Sequence, residues 1–303
     1  MTVFQSTIAN QLKDTLDGVQ VDTADGLEAE AVYKDYMDEG NMPDAYLDDL
    51  EMGGMGLLSE KAEGTEIQLG TVSEGFLKRY LPRVLAGKLI ITAEAMDDGK
   101  YPEAIDMARH LKRSGILTRE YDSVSIWARA TNTSYLGGDG VTLASTAHTL
   151  PNGGTFSNML GTAAAPSRIA LTNAFAQLMQ YPGLDGLITP VKPKAVVYPV
   201  QQWGVWEGIL GSKMSPEAGN FSQINVINKN YSNLKLIPVP FWTNTTTNWS
   251  VLTDAKKGLR FLWRRKPKTR TWVDNDNDVM KYSYSQRYAI GWTNARSILF
   301  SNA

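Results

Sequence analysis

The sequence predicts an α+β fold drawn out into a long, thin slab, and three observations carry that prediction. The stretch from Tyr101 to Thr131 repeats apolar residues near a helical period over about 29 residues, a rod of roughly 44 Å. The stretch from Met280 to Trp292 alternates apolar and polar residues at a period of two, which at ~3.4 Å per residue also reaches roughly 44 Å. Between them, residues from about 165 to 255 mix helical and strand-like segments of ordinary length. A helix and a strand of matched, unusual reach are expected to lie against each other, with a compact α/β block inserted between them.

The helix has a recognisable start. Pro102 sits at the first helical position, with a preset φ and no donor to waste. Glu103 and Asp106 place negative charge in the first turn, where the helix dipole favours it. Its apolar positions are Ile105, Ala108, Leu111, Leu117, Tyr121, Val124 and Trp127. Gly115 interrupts them, at a cost of about 1 kcal/mol against alanine. In the strand, Met280, Tyr282, Tyr284, Tyr288, Ile290 and Trp292 share one face, on which Gln286 is the exception. Lys281, Ser283, Ser285 and Arg287 share the other.

The remaining elements follow in order. Residues 1–52 read as short amphipathic helices: a stripe of Ile8, Leu12, Leu16 and Val19, a second helix opened by Asp25 with Glu28 and running through Tyr36 and Met37, and a third starting at Pro43 and Asp44, before Gly53, Gly54 and Gly56 break the chain. They form either a subdomain packed on its own body or an arm lying on a neighbouring subunit. Residues 59–92 read as an extended β-hairpin with Lys78, Arg79, Arg83 and Lys88 in its second half. An isolated hairpin is marginally stable, so this one is expected to complete its burial on another chain, the alternative being a hairpin folded back on its own domain. In the central block, Pro166 and Ser167 open a helix with Ile169, Phe175, Leu178 and Met179, and Pro182 and Gly183 stop it. Lys194 to Tyr198 is a buried strand, and Val200 to Leu210 is a helix with Trp203, Trp206 and Leu210 inward. Leu234 to Trp242, which contains Pro238 and Pro240, is an edge strand. Trp249 to Thr253 follows, and Leu259, Phe261 and Trp263 alternate with Arg260 and Arg264 in another strand. Asp274 to Asp278 makes the turn into the last long strand.

Composition narrows the function. The net charge is −2, so no global polyelectrolyte partner is implied. Residues 1–60 nevertheless hold 14 acidic residues against Lys13 and Lys34, a net of −12 that leaves +10 for the rest. This asymmetry suggests docking of the front segment onto a body, its own or a neighbour's. With no cysteine, disulfides, thiol catalysis and cysteine-based zinc sites are excluded. No signal peptide is visible at the start, and no apolar run approaches the ~18 residues of a membrane span. His110 and His148 are the two imidazoles. Ser145 lies near His148, but no nucleophile-elbow motif surrounds it. Asp274, Asp276 and Asp278 imitate a calcium loop that then fails at Val279 and Ser285. Phosphate-loop and dinucleotide motifs do not occur. Catalytic, metal-binding and cofactor-binding residues are therefore expected to be none. The run Lys256 to Arg270 holds eight basic residues with Phe261 and Trp263 among them. It reads either as the solvated face of a strand or as a sequence-blind phosphate contact, in which Arg264, Arg265, Lys266 and Lys268 form the patch.

These motifs resemble a known family. The stretch LIITAEAMDDGKYPEAIDMARHLKRSGILTREYDSV is similar to the lead-in and spine helix of tailed-bacteriophage major capsid proteins. DGVTLASTAHTLPNGG resembles the segment after the spine, and RYAIGWTNARSILFSNA resembles the closing strand. The resemblance covers most of the chain, in order. It implies the tailed-phage capsid fold shared with herpesviruses: an N-terminal arm (1–58), an extended β-hairpin loop (59–92), a peripheral domain (93–164) with the spine helix 101–131, an inserted axial domain (165–257), and closing strands of the peripheral domain sheet (258–303). It further implies a non-enzymatic shell protein of the virion, assembled in the host cytoplasm as hexameric and pentameric capsomers around double-stranded DNA. The implied partners are other copies of the chain, a portal protein at one vertex, a separate scaffolding protein, packaged DNA through nonspecific contact and a decoration protein, with no membrane. Lys78, Arg79, Arg83 and Lys88 are the residues expected between subunits. Arg264, Arg265, Lys266 and Lys268 are those expected to face the genome.

Overall fold

The computed structural model describes residues 31–67, 69–70, 72–98, 101–214, 224–243, 247–274, 276–277 and 279–303. The expected Ile8–Val19 helix and the Asp25 cap lie outside the described residues. In chain order, α1 (Tyr33–Tyr36), β1 (Asp38–Asn41), β2 (Leu47–Met52), β3 (Glu74–Tyr80) and β4 (Arg83–Thr92) precede α2 (Ala93–Asp97) and the long α3 (Tyr101–Ala128). The short strands β5 (His148–Thr149) and β6 (Thr155–Phe156) lie in the glycine-rich segment. The central block holds α4 (Arg168–Leu178), β7 (Pro193–Pro199), α5 (Trp203–Gly211), α6 (Val226–Asn230), β8 (Lys235–Val239) and β9 (Trp249–Thr253). β10 (Leu259–Asp274), β11 (Val279–Trp292) and β12 (Ile298–Ser301) close the chain.

Two four-stranded sheets organise these elements. The long sheet has the order β1-β10-β11-β4, and α3 packs on one of its faces. The central sheet has the order β12-β9-β7-β8, with β8 on the edge, as its two prolines require. Both faces of the central sheet are buried, in two different cores. Val197, Ile237 and Phe300 join Trp127, Trp242, Phe261 and Tyr288 in a core shared with the long sheet. Val196, Tyr198 and Leu299 join Phe175, Trp206 and Trp249 on the other side.

The long helix and long strand meet as the sequence predicts, and the two irregularities in their patterns explain each other. A Cβ on Gly115 would stand 2.2 Å from a ring carbon of Tyr284. The missing side chain lets the helix backbone approach the strand. Gln286, the polar residue on the apolar face, then donates through Nε2 to the Gly115 carbonyl at 3.0 Å. A buried amide needs such a partner. Gly87 on β4 makes a second close approach, with Leu111 where a Cβ would be.

Several expectations are corrected. Pro43 and Asp44 start no helix, because the chain on either side of them is extended. β1 pairs in parallel with the start of β10, and β2 pairs antiparallel with β3. Residues 59–92 do not form one hairpin either. β4 pairs with β11, since its Leu85, Leu89 and Ile91 give it an apolar face for the helix. The hairpin is framed by β2 and β3, with residues 53–73 between them. On α3, Leu117 and Tyr121 are exposed, and Ile116, Glu120 and Ser123 hold the inward positions. Glu120 does so because its carboxylate accepts from the Tyr33 backbone N–H. Ile169, Met179 and Trp203 are exposed as well, and Ala170, Leu171 and Ala174 line the inner side of α4. β12 completes the central sheet rather than the long one, by pairing with β9.

The Gly115 contact makes a prediction. On a solvated helix face Gly→Ala would stabilise by about 1 kcal/mol. Here Gly115→Ala forces the Tyr284 ring out of place and is expected to destabilise by ~1–3 kcal/mol. Chemical denaturation of the variant chain measures the sign, and a more stable variant would contradict the packing described.

Candidate functional site

The hairpin of β2 and β3 ends in a projecting segment. Its apolar side chains have almost no cover within the chain: Leu57 is 84% exposed, Leu58 94%, Ile67 76% and Leu69 93%. Its base, in contrast, is firmly tied to the body. Asp49 and Glu51 alternate on β2 and point to the same side. Asp49, 6% exposed, accepts from Lys257 Nζ at 2.8 Å, Arg260 Nη1 at 2.5 Å and Thr293 Oγ1 at 3.0 Å. Tyr80 on β3 closes the group through its hydroxyl, 2.6 Å from Thr293 Oγ1. Glu51 pairs with Arg296.

These two carboxylates are shifted in opposite directions. Burial pushes the Asp49 carboxyl up, but hydrogen bonds from Lys257, Thr293 and Arg260 outweigh it and hold the group below the usual range. At Glu51 burial wins over the pull of Arg296, so its carboxyl is raised. Acidic residues near the front therefore dock onto the chain's own body, as the charge asymmetry suggested. Asp35 pairs with Lys235 at 2.6 Å, and Glu39 accepts from the Trp263 indole. Sequence reasoning missed Asp49 and Glu51 as anchors. The available signal was carboxylates alternating with Leu50 in a strand that faces a basic body.

The cations expected between subunits are dispersed along β3 and β4. Lys78 donates to the Leu136 carbonyl at 2.6 Å. Arg79 makes two bonds of 2.6 Å to Asp48 and lies 4.4 Å over the Tyr46 ring. Arg83 pairs with Asp122 at 2.6 Å, and that carboxylate also accepts from Tyr288. Lys88 is exposed, opposite Ser283 in the register. Three of the four thus have partners inside the chain.

The patch expected to face the genome lies where β10 is irregular. Register shifts fall between Trp263 and Arg265 and between Arg265 and Lys268, and Pro267, which cannot donate to a ladder, sits in the second. Arg265, Lys266 and Lys268 are exposed, and Arg264 is half-buried. Arg265 donates to Ser285 Oγ at 3.0 Å. His148 is fully buried, with Nδ1 2.6 Å from Asp139 and Nε2 3.2 Å from the Leu143 carbonyl. Ser145 Oγ accepts from the Ala147 N–H. His110 is exposed on α3. Among the described residues no group of three or more His, Asp or Glu side chains is placed to hold a metal ion, and no helix is long and apolar enough to cross a membrane.

The comparisons with known proteins agree with this architecture. A family model described as phage capsid protein matches residues 80–299, well over half of the chain. The chain belongs to the phage capsid protein family. It is a major capsid protein with the fold of tailed-phage capsids. Among solved structures, a Microbacterium phage Oxtober96 chain matches this capsid protein with a TM-score of 0.54 at 9% identity, covering 89% of each chain. A virus-like particle from Pyrococcus furiosus matches at 0.52 and 9% identity, covering 93% of this chain and 99% of that one. An encapsulin from Synechococcus elongatus, in the holo-SrpI complex, matches at 0.51 and 10% identity, covering 88% and 85%. Likeness at this identity is likeness of fold, and the family match places the chain among phage capsid proteins. No curated protein matches the sequence.

The anchor of the hairpin in this capsid protein can be tested. Asp49→Asn leaves the partly exposed Lys257 and Arg260 beside a neutral group and is expected to cost ~1–3 kcal/mol at neutral pH. The sign with pH follows from the shifts. Asp49, held below its unfolded value of 3.8, contributes stability above that value and loses it as pH falls through the depressed one. Glu51, raised above 4.5, favours folding below that value and loses this contribution as pH rises. Urea unfolding of the unassembled subunit should therefore show the full Asp49→Asn deficit at pH 7 and a smaller one at a pH below 3.8. An equal deficit at both values would contradict the assignment.

Proposed function

We propose that this major capsid protein assembles as hexameric and pentameric capsomers into the icosahedral head of a tailed double-stranded DNA phage. The observation that carries the reading is the projecting hairpin. Its base is anchored by buried ion pairs, while its leucines are left in water. Burying such a side chain is worth ~1.5–3 kcal/mol, and within one chain that gain is unrealised. Repeated contacts in a closed symmetric shell supply it. The virion is then the place of function and the host cytoplasm the place of assembly. Partners of the shell are further copies, a portal protein at one vertex, a separate scaffolding protein, packaged DNA and a decoration protein.

Of the four cations expected between subunits, Lys88 keeps its charge open to a neighbour, and Arg79 and Arg83 offer a neighbour the outer sides of pairs already made. The patch of Arg264, Arg265, Lys266 and Lys268 belongs to a larger basic face. Nothing in the family match supports the alternative of a nucleic-acid-binding protein built on residues 256–270.

Expression of the chain with Leu57, Leu58 and Leu69 replaced by serine tests the reading. The variant should remain folded by circular dichroism and by its unfolding transition, and should yield no shells by negative-stain microscopy or sedimentation under conditions in which the unaltered chain forms them. Normal shells from the variant would reject the proposal.

A further inference from the structure

The long sheet has a gap at one corner. β4 joins it at Arg83, opposite Tyr288, while Leu81 and Pro82 just before come from β3, which pairs with β2 instead. β11 runs on from Ala289 to Trp292 with β10 on one side and, among the described residues, no strand on the other. Other parts of the chain close around this gap. The last turn of α3 brings Ser125 and Ile126 to it, with Arg129 just beyond. The segment from Ser134 to Leu143 lies close because two glycines permit it. A Cβ on Gly137 would stand 2.0 Å from a ring carbon of Trp292, and one on Gly138 2.8 Å from the Leu77 carbonyl oxygen. Lys78 of β3 then donates to the Leu136 carbonyl at 2.6 Å. What remains is a cavity of about 400 Å³, within the ~300–1,000 Å³ common for ligand pockets.

Its walls are apolar and its charges are unbalanced. Leu81, Ile126, Leu136, Leu143, Ile290 and Trp292 line it, with Lys78, Arg83 and Arg129 against Asp122. Asp122 is committed to Arg83 at 2.6 Å and to the Tyr288 hydroxyl at 2.5 Å. Lys78 has a carbonyl for a partner, and burial pushes its ammonium down against the pull of Asp139. Arg129 is half-buried and lies 4.5 Å over the Tyr135 ring. Among the described residues no carboxylate is paired with it. A guanidinium flanked by apolar side chains attracts an anion more strongly than one in open water, because the local dielectric is lower.

Simple occupants satisfy only part of this lining. A metal cation meets three like charges. Inorganic phosphate, or the phosphate of a nucleic acid, pairs the cations but leaves the apolar walls in water. A neutral hydrocarbon covers the walls but takes Arg129 out of water without a partner, which is costly. We propose that the cleft binds a small apolar carboxylate, with its acid group on Arg129 and its body against Ile126, Leu136 and Ile290. Lys78 and Leu81 belong to the root of the hairpin, and Ile126 and Arg129 to the end of the spine helix, so such a ligand bridges the two. This goes beyond the shell reading. It is tested on the unassembled subunit, so neither result decides the other.

Octanoate is titrated calorimetrically into the full chain, with 1-octanol as the probe of the body alone and inorganic phosphate as the probe of the charge alone. Octanoate is expected to bind saturably, and each control about tenfold more weakly. Arg129→Gln should weaken octanoate about tenfold and leave octanol unchanged. Leu136→Trp, at an exposed position on the rim, should abolish octanoate binding by filling the cleft while the unfolding transition stays in place; it carries the test if Arg129→Gln fails to fold. Arg109→Gln, on the exposed side of α3, should change nothing. No saturable heat from octanoate, equal affinity for octanol or phosphate, or an affinity that Arg129→Gln or Leu136→Trp leaves intact would overturn the proposal.

Discussion

The whole slab depends on how closely one helix backbone lies to one strand. α3 has 28 residues and β11 has 14, and a rod of that length stays on a twisted ribbon only where nothing at mid-span holds them apart. Gly115 removes the obstruction, the Tyr284 ring fills the space, and Gln286 ties the Gly115 carbonyl to the sheet. Once that contact is set, the rest of α3 has a defined position. Asp122 receives Tyr288 and Arg83 from the two strands beneath it. Further on, Trp127 stacks on Trp242 with ring centroids 5.5 Å apart. The helix therefore carries the geometry of the long sheet into the core of the central block.

The front segment is attached by a different kind of force. β1 and β2 contribute little apolar surface but several carboxylates, of which Glu39, Asp48, Asp49 and Glu51 meet partners far away in sequence. A buried acid costs several kcal/mol unless it is paired and hydrogen-bonded, so Asp49 with three donors and Glu51 with Arg296 specify where the hairpin base must sit. The exposed Arg79–Asp48 pair on the same ribbon adds little, since such pairs contribute at most about 1 kcal/mol. The result is a hairpin rigid at its root and unburied at its tip.

This division also explains what could be read in advance. The long helix and strand were legible because each shows one period over many residues, and even their exceptions, Gly115 and Gln286, were visible as exceptions. What was not visible was that the two meet. Leu117 and Tyr121 misled because they are apolar at nearly the right spacing, whereas the inward positions went to Glu120 and Ser123, which satisfy hydrogen bonds. The sequence LDDLEM reads as a solvated segment until the cations that bury Asp49 and Glu51 are known, and those come from residues 257–296. The same blindness applied to Lys78, Arg79 and Arg83. As residue types they announce a charged surface, but Leu136, Asp48 and Asp122 take up their hydrogen-bonding capacity, and no local pattern points to those partners.

A fold shared with chains of a Microbacterium phage, a virus-like particle and an encapsulin at 9–10% identity constrains shape far more than surface chemistry. What such chains have in common is a plate with a helix along one side. Whether copies of a given plate fit each other is decided by what the plate leaves unsatisfied. Here the family match begins at Tyr80, the last residue of the hairpin, and the hairpin tip carries the most exposed of the large apolar side chains among the described residues. Leu58 and Leu69 in water are a cost that the fold of a single copy does nothing to remove. On the shell reading, that cost is removed where copies of the plate meet. The feature that makes the single chain look incomplete is, on this argument, the feature that gives its assembly a direction.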